Sequence, residues 1–218
     1  MKRVMTSALI LLIMFFLAAC SEDYNPAEDM YTHLEKSVEL ESSFQSAQSE
    51  LVKLEEKENE LYNKMMEINM NELDEIKPII KEALGLVEER RKLMEQEKES
   101  IDAAKEEFDQ VQEYIEELDE EPKEIAINMV DKMNERYEGF NELYNAYNSS
   151  LDLDAELYEM LKNEELKKKD LDAQVEKVNN SYNEVQKAQE KFNKLTQEFN
   201  DLKKQFYEAS GLNVEYEN

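Results

Sequence analysis

The chain has 218 residues, 53 acidic against 26 basic, and a formal net charge of −27 at pH 7. That balance disfavours nucleic acid as a partner, because binding it relies on neutralising phosphates with Lys and Arg. A single cysteine and a single histidine exclude an intramolecular disulfide and any metal site that needs several such ligands.

Met1-Lys2-Arg3 precedes an apolar run from Val4 to Leu17, followed by Ala18-Ala19-Cys20. A basic start, an apolar run and a small-residue cleavage site stand in the order of a secretory signal. The run falls short of the ~20 apolar residues that a spanning helix needs. Leu17-Ala18-Ala19-Cys20 resembles the bacterial lipobox. The resemblance implies diacylglyceryl transfer to the Cys20 sulfur, cleavage between Ala19 and Cys20, and acylation of the new amino group as a further step. Residues 1–19 are then a lipoprotein signal peptide and residues 20–26 a lipidated tether. The mature chain is expected on the outer face of the cell membrane. Burial is worth ~0.8 kcal/mol per methylene, so one acyl chain holds marginally and two hold stably. The tether lifts the body by at most ~20–25 Å.

Removal of residues 1–19 takes away Lys2 and Arg3 and no acid, leaving 24 basic residues, 53 acidic ones and a net charge of −29. Direct attachment to anionic headgroups or anionic wall polymers is therefore disfavoured. It would need bridging divalent cations, a local basic patch or a cationic partner.

Beyond Pro26 the apolar residues recur at helical spacing, and no window alternates like a strand. A first helix is predicted from about Ala27 to Asn69 on Leu34, Val38, Phe44, Leu51, Leu54, Leu61, Met65 and Ile68. A second runs from about Asn71 to Leu118. Its seam, Ile80, Ala83, Val87, Arg90, Met94, Glu97, Ile101, Ala104, Phe108, Val111, Ile115 and Leu118, alternates steps of 3 and 4. Pro78 near its start predicts either a separate turn or a kink. A third runs from about Pro122, suited to a first helical position, to Lys162. Its seam is Val130, Met133, Tyr137, Phe140, Tyr144, Tyr147, Leu151, Tyr158 and Leu161. Asp170 is the expected cap of a fourth, which runs to about Ser210 and stops at Gly211. The stripe there includes Leu171, Val175, Val178, Tyr182, Val185, Ala188, Phe192, Leu195, Phe199, Leu202 and Phe206. Short connections favour antiparallel neighbours. The expected fold is all-α, an elongated up-and-down antiparallel four-helix bundle of coiled-coil-like packing over residues 27–212, with a tail at 213–218. The alternative is an antiparallel coiled coil that completes its core by oligomerising.

Four segments, Leu51–Ile76, Lys81–Phe108, Met133–Leu166 and Leu171–Val214, resemble the YkyA family. They carry KLEEKENELYNKMMEINMNELDEI, EERRKLMEQEKESIDAAKEEF, MNERYEGFNELYNAYNSSLDLDAELYEMLK and the terminal EASGLNV. Members are described as cell-wall-binding lipoproteins of Gram-positive bacteria. The resemblance implies a four-helix up-and-down bundle and supplies no catalytic residue.

The residues of chemistry are sparse. Gly85, Gly139 and Gly211 are too scattered for a phosphate-cradling loop. His33, near the tether, is expected to be a plain surface residue. A di-iron bundle needs two Glu-x-x-His motifs, and the residue three before His33 is Met30. Asp152 and Asp154 resemble the opening of a calcium loop without its glycine or its twelfth ligand, so a helical surface or turn is expected. Asp119–Glu121 is expected to be a solvated loop. Tyr137, Tyr144, Tyr147 and Tyr158 fit the core seam better than a sugar-stacking face. Arg90 and Glu97 hold seam positions otherwise apolar. They are expected at a boundary where long side chains reach water, rather than in a buried polar layer. No catalytic, cofactor-binding or metal residue is expected, and Cys20 is the one functional position. The reading is a non-enzymatic, membrane-anchored envelope lipoprotein that contacts peptidoglycan, other envelope components or a protein partner. The alternative is a binding module or chaperone-like carrier for a cationic or apolar ligand, which predicts a groove between helices.

Overall fold

Asn25 starts the first helix. Its side-chain oxygen accepts from the Ala27 amide at 3.1 Å, Pro26 takes the first helical position, and Glu28 and Asp29 face the positive end of the helix dipole. The computed structural model describes residues 24–68, 72–212 and 214. Ala19, Cys20, the signal segment and most of the tether and tail lie outside the described residues. The described residues form five α-helices: α1 Pro26–Leu40, α2 Ser42–Glu67, α3 Leu73–Phe108, α4 Glu120–Met160 and α5 Lys168–Ala209. Short 3-10 segments at Asp109–Glu113 and Ile115–Glu117 join α3 to α4. Among the described residues there is no strand.

The helices form an up-and-down bundle. α1 and α2 together make one arm that packs on α3, α3 packs on α4, and α4 packs on α5. At 1.5 Å per residue the 41 residues of α4 span roughly 60 Å. α5 ends in a Schellman turn: Gly211 takes φ +69°, its amide donates to the Glu208 carbonyl, and the Leu212 amide donates to Tyr207 at 3.0 Å.

The predicted first helix is broken at Glu41. Its amide bonds the carbonyls of both Ser37 and Val38 at 3.2 Å, a tightened turn. The break is held from outside the arm. Ser37 Oγ donates to the Ala104 carbonyl at 2.8 Å, and Ser100 Oγ donates to the Leu40 carbonyl at 2.6 Å. Arg136 of α4 grips the Glu41 carboxylate with both terminal nitrogens, at 2.6 and 2.7 Å. The apolar stripe slips at this point, and Val38, expected in the seam, is 47% exposed. Two other expectations change. The stretch after Phe108 is 3-10 rather than α-helix, and α5 begins at Lys168, so Asp170 lies in its first turn and does not cap it. α3 runs through Pro78, six residues into the helix, so the carbonyl left without its amide is that of exposed Asp74.

The core has two apolar parts. One, toward the tether end, gathers Met30, Leu34, Phe108, Met129, Met133, Phe199 and Phe206. The longer one gathers Leu51, Met65, Ile80, Val87, Ile101, Phe140, Leu151 and Phe192. Arg136, Glu41 and Thr196, whose hydroxyl accepts from Arg136 Nε at 2.9 Å, occupy the level between them.

Candidate functional site

On α3, positions 83, 90, 97 and 104 recur every seven residues and face the core, and two of them are charged. Arg90 is 1% exposed and Glu97 is 0% exposed. The boundary position expected for both is therefore overturned: each sits in a buried polar layer. The physical reason is that partners arrive from helices distant in sequence.

Arg90 is saturated. Nη1 donates to Glu58 Oε2 at 2.5 Å and to Asp154 Oδ2 at 3.3 Å. Nη2 donates to Tyr182 Oη at 2.6 Å and reaches Glu55 Oε1 at 3.5 Å, and Nε donates to Tyr147 Oη at 3.0 Å. The phenols pass the bonding on. Tyr182 donates to Asp154 at 2.5 Å, Tyr147 to Glu55 at 2.6 Å and Tyr158 to Glu58 at 2.9 Å. The guanidinium also lies over the Tyr147 and Tyr182 rings, 5.1 and 5.8 Å from their centroids. Burial alone would lower the Arg90 pKa, but Tyr182, Tyr147 and Glu58 outweigh it and hold the group above its ordinary value. Burial raises Glu58 and Asp154 even against the attraction of Arg90.

Seven residues along, both oxygens of Glu97 accept from Gln48 Nε2 at 3.0 Å. With no cation among its partners in the described residues, burial pushes this carboxyl up to about 7. The tyrosines expected in the core are there, with Tyr147 and Tyr158 buried and Tyr137 and Tyr144 half-buried against the longer apolar cluster. Asp152 is on the surface as expected, pairing with Arg91 at 2.7 Å, whereas Asp154, 5% exposed, is not. His33 is also less free than expected: its Nδ1 lies 2.7 Å from Glu107 Oε1 and its ring rests by Tyr114. No group of three or more Asp, Glu, His or Cys side chains among the described residues is arranged to hold a metal ion.

Residues missed in the sequence did leave a signal. Glu58 stands seven residues from both Leu51 and Met65, and Asp154 stands between Leu151 and Tyr158, so both occupy seam positions. Gln48 stands between Phe44 and Leu51 at steps of 4 and 3, and Tyr182 lies in the expected stripe of the last helix, whereas Glu55 carries no comparable mark.

The network opens on one side. α2 and α5 make few close backbone approaches, and a groove runs between them. One part, about 310 Å³, is lined by Glu55, Glu58, Asp154, Tyr158, Val178 and Tyr182 among others. The other, about 300 Å³, includes Gln48, Val52, Glu55, Tyr147, Tyr182 and Gln186. They meet at Glu55 and Tyr182.

A family model described as "Putative cell-wall binding lipoprotein" matches residues 25–209. The chain belongs to the YkyA family. A YkyA relative from Bacillus subtilis (strain 168), named "Uncharacterized lipoprotein YkyA", is 33% identical over 192 residues, covering 88% of this chain and 86% of the relative. A 1.6 Å crystal structure of a conserved protein of unknown function from Staphylococcus aureus matches with a TM-score of 0.70 at 14% identity. The match covers 83% of this chain and 91% of that one, which shows a shared fold. No helix among the described residues is long and apolar enough to cross a membrane.

Proposed function

We propose that this YkyA-family chain is a non-catalytic lipoprotein held by lipid at Cys20 on the outer face of the cell membrane, with its rod contacting the wall or another envelope component. The observation that carries this reading is the lipobox-like Leu17-Ala18-Ala19-Cys20 placed directly before a chain whose residues 25–209 match a lipoprotein family. The tether joins α1 at the end of the bundle where the 3-10 segments and the C-terminus of α5 also lie. The C-terminus of α2, the N-terminus of α3 and the loop at 161–167 occupy the far end, so the rod reaches roughly 60 Å outward. Acids crowd the tether end, among them Glu28, Glu117 and Asp119. Lipid rather than charge therefore keeps the protein on an anionic surface.

Two measurements test the reading. Labelled palmitate is expected to be incorporated into the protein and lost from Cys20→Ala, and equal labelling of the two would remove the anchor from the account. The purified mature protein is expected to be retained by sedimented peptidoglycan. Loss of retention in chelator would identify divalent bridging, and no retention with or without chelator would leave a protein partner in place of the wall.

A further inference from the structure

The groove between α2 and α5 has more acceptor capacity than the Arg90 network uses. Arg90 and Tyr182 both bond Oδ2 of Asp154, and Arg90 and Tyr147 both bond Oε1 of Glu55. Among the described residues no donor reaches the second oxygen of either carboxylate. Asp154 is 5% exposed and lines the groove, and its remaining oxygen is an acceptor in the groove wall that is not sealed from solvent. Three carboxylates share one guanidinium here. When ionised they leave the site two negative charges, with Glu58 and Asp154 buried and Glu55 at the open side, its side chain 40% exposed. Tyr62, Tyr158 and Tyr182 add aromatic faces, and Leu157, Val175 and Val178 add an apolar wall.

We propose that this groove binds a primary ammonium group carried on a short apolar stem, the shape of a lysine-type side chain. The ammonium supplies three donors with no acceptor of its own, and Asp154 and Glu55 each have an acceptor to offer. Aromatic rings attract a cation across their faces. A volume of about 310 Å³ accommodates such a stem. A metal ion is a poorer fit, because the acids are not gathered into a metal-holding group. The inference goes beyond wall contact and does not depend on it: the amine can come from a wall peptide or from a soluble diamine.

The test uses the full mature lipoprotein in detergent micelles, titrated calorimetrically with 1,5-diaminopentane and, for comparison, 1,5-pentanediol. Saturable binding of the diamine alone is expected. Asp154→Asn is expected to weaken it roughly tenfold or more, by removing a charged acceptor. A double variant, Asn59→Trp with Asn179→Trp, blocks the groove from two exposed lining positions and leaves the network and net charge untouched. It is expected to abolish binding with an unchanged thermal melt, which separates the site from general attraction to an acidic protein. Equal responses to diamine and diol, or undiminished binding by the folded double variant, would overturn the proposal. Soluble peptidoglycan fragments with free stem amines, compared with the same fragments N-acetylated, identify the source. Selective binding of the free-amine form supports the site and places its ligand in the wall. Diamine binding without fragment binding supports the site and points to a soluble amine.

Discussion

Arg90 is where a single side chain decides the most. Buried ion pairs contribute little net stability, yet removing one partner strands the others. Arg90→Ala leaves Glu58 and Asp154 buried with only phenols to bond them. We expect a loss of about 3–5 kcal/mol in chemical denaturation at neutral pH, and a smaller loss near pH 5, where these two burial-raised carboxyls more readily take up protons. Glu97 works in the opposite direction. Its folded pKa of about 7 stands above the ordinary carboxyl value of 4.5, so the native state holds the proton more tightly than the unfolded chain does. Its favourable contribution is full below about pH 4.5 and is lost as pH rises toward 7. Glu97→Gln keeps the shape and removes that slope. It is expected to leave the melting temperature nearly unchanged at pH 4.5 and to raise stability at pH 8 by up to roughly 3 kcal/mol. Equal effects at both pH values would show that Glu97 is not the titrating group.

At the scale of elements, two helical glycines contrast. Gly85 on α3 has nothing within 4 Å of an added Cβ, whereas at Gly139 on α4 such a Cβ meets Leu195 Cδ1 at 2.9 Å. Alanine is favoured over glycine inside a helix by about 0.5–1 kcal/mol. Gly85→Ala is expected to gain that amount, and Gly139→Ala to lose it to the displaced Leu195, in parallel thermal melts. The helices themselves were legible because steps of 3 and 4 record a buried face directly: α3, α4 and α5 lie within a few residues of expectation at most ends. The break at Glu41 was not, because Ser100 and Arg136, which hold it, are 59 and 95 residues further along the chain. The same holds for the groove. Arg90 and Glu97 stood out in the seam, but their burial depends on Gln48, Glu58, Asp154 and Tyr182 coming from three other helices. Periodicity reports which face turns inward and carries no record of what meets it there.

Across the whole molecule, polar layers at Arg90, Glu97 and Arg136 punctuate a bundle whose interior is mostly apolar. Each layer matches donors on one helix to acceptors on another, and a slip by one heptad would bury them unpaired, so the layers fix register and neighbour order. The layer of Arg136, Glu41 and Thr196 has a further consequence, because it interrupts the apolar core. Cooperativity in a long bundle passes through continuous packing, and here the packing is divided into a shorter part by the tether and a longer part beyond it. The two parts should open as separate foldons. Native-state hydrogen exchange is expected to resolve two groups of slow amides, the group around Leu34, Phe108 and Phe206 opening at the lower denaturant concentration. Arg136→Leu combined with Glu41→Leu should merge them, and a single exchange class in the unaltered protein would show that the layer transmits unfolding. A protein fixed at one end would then be able to loosen its base while its outer reach stays folded.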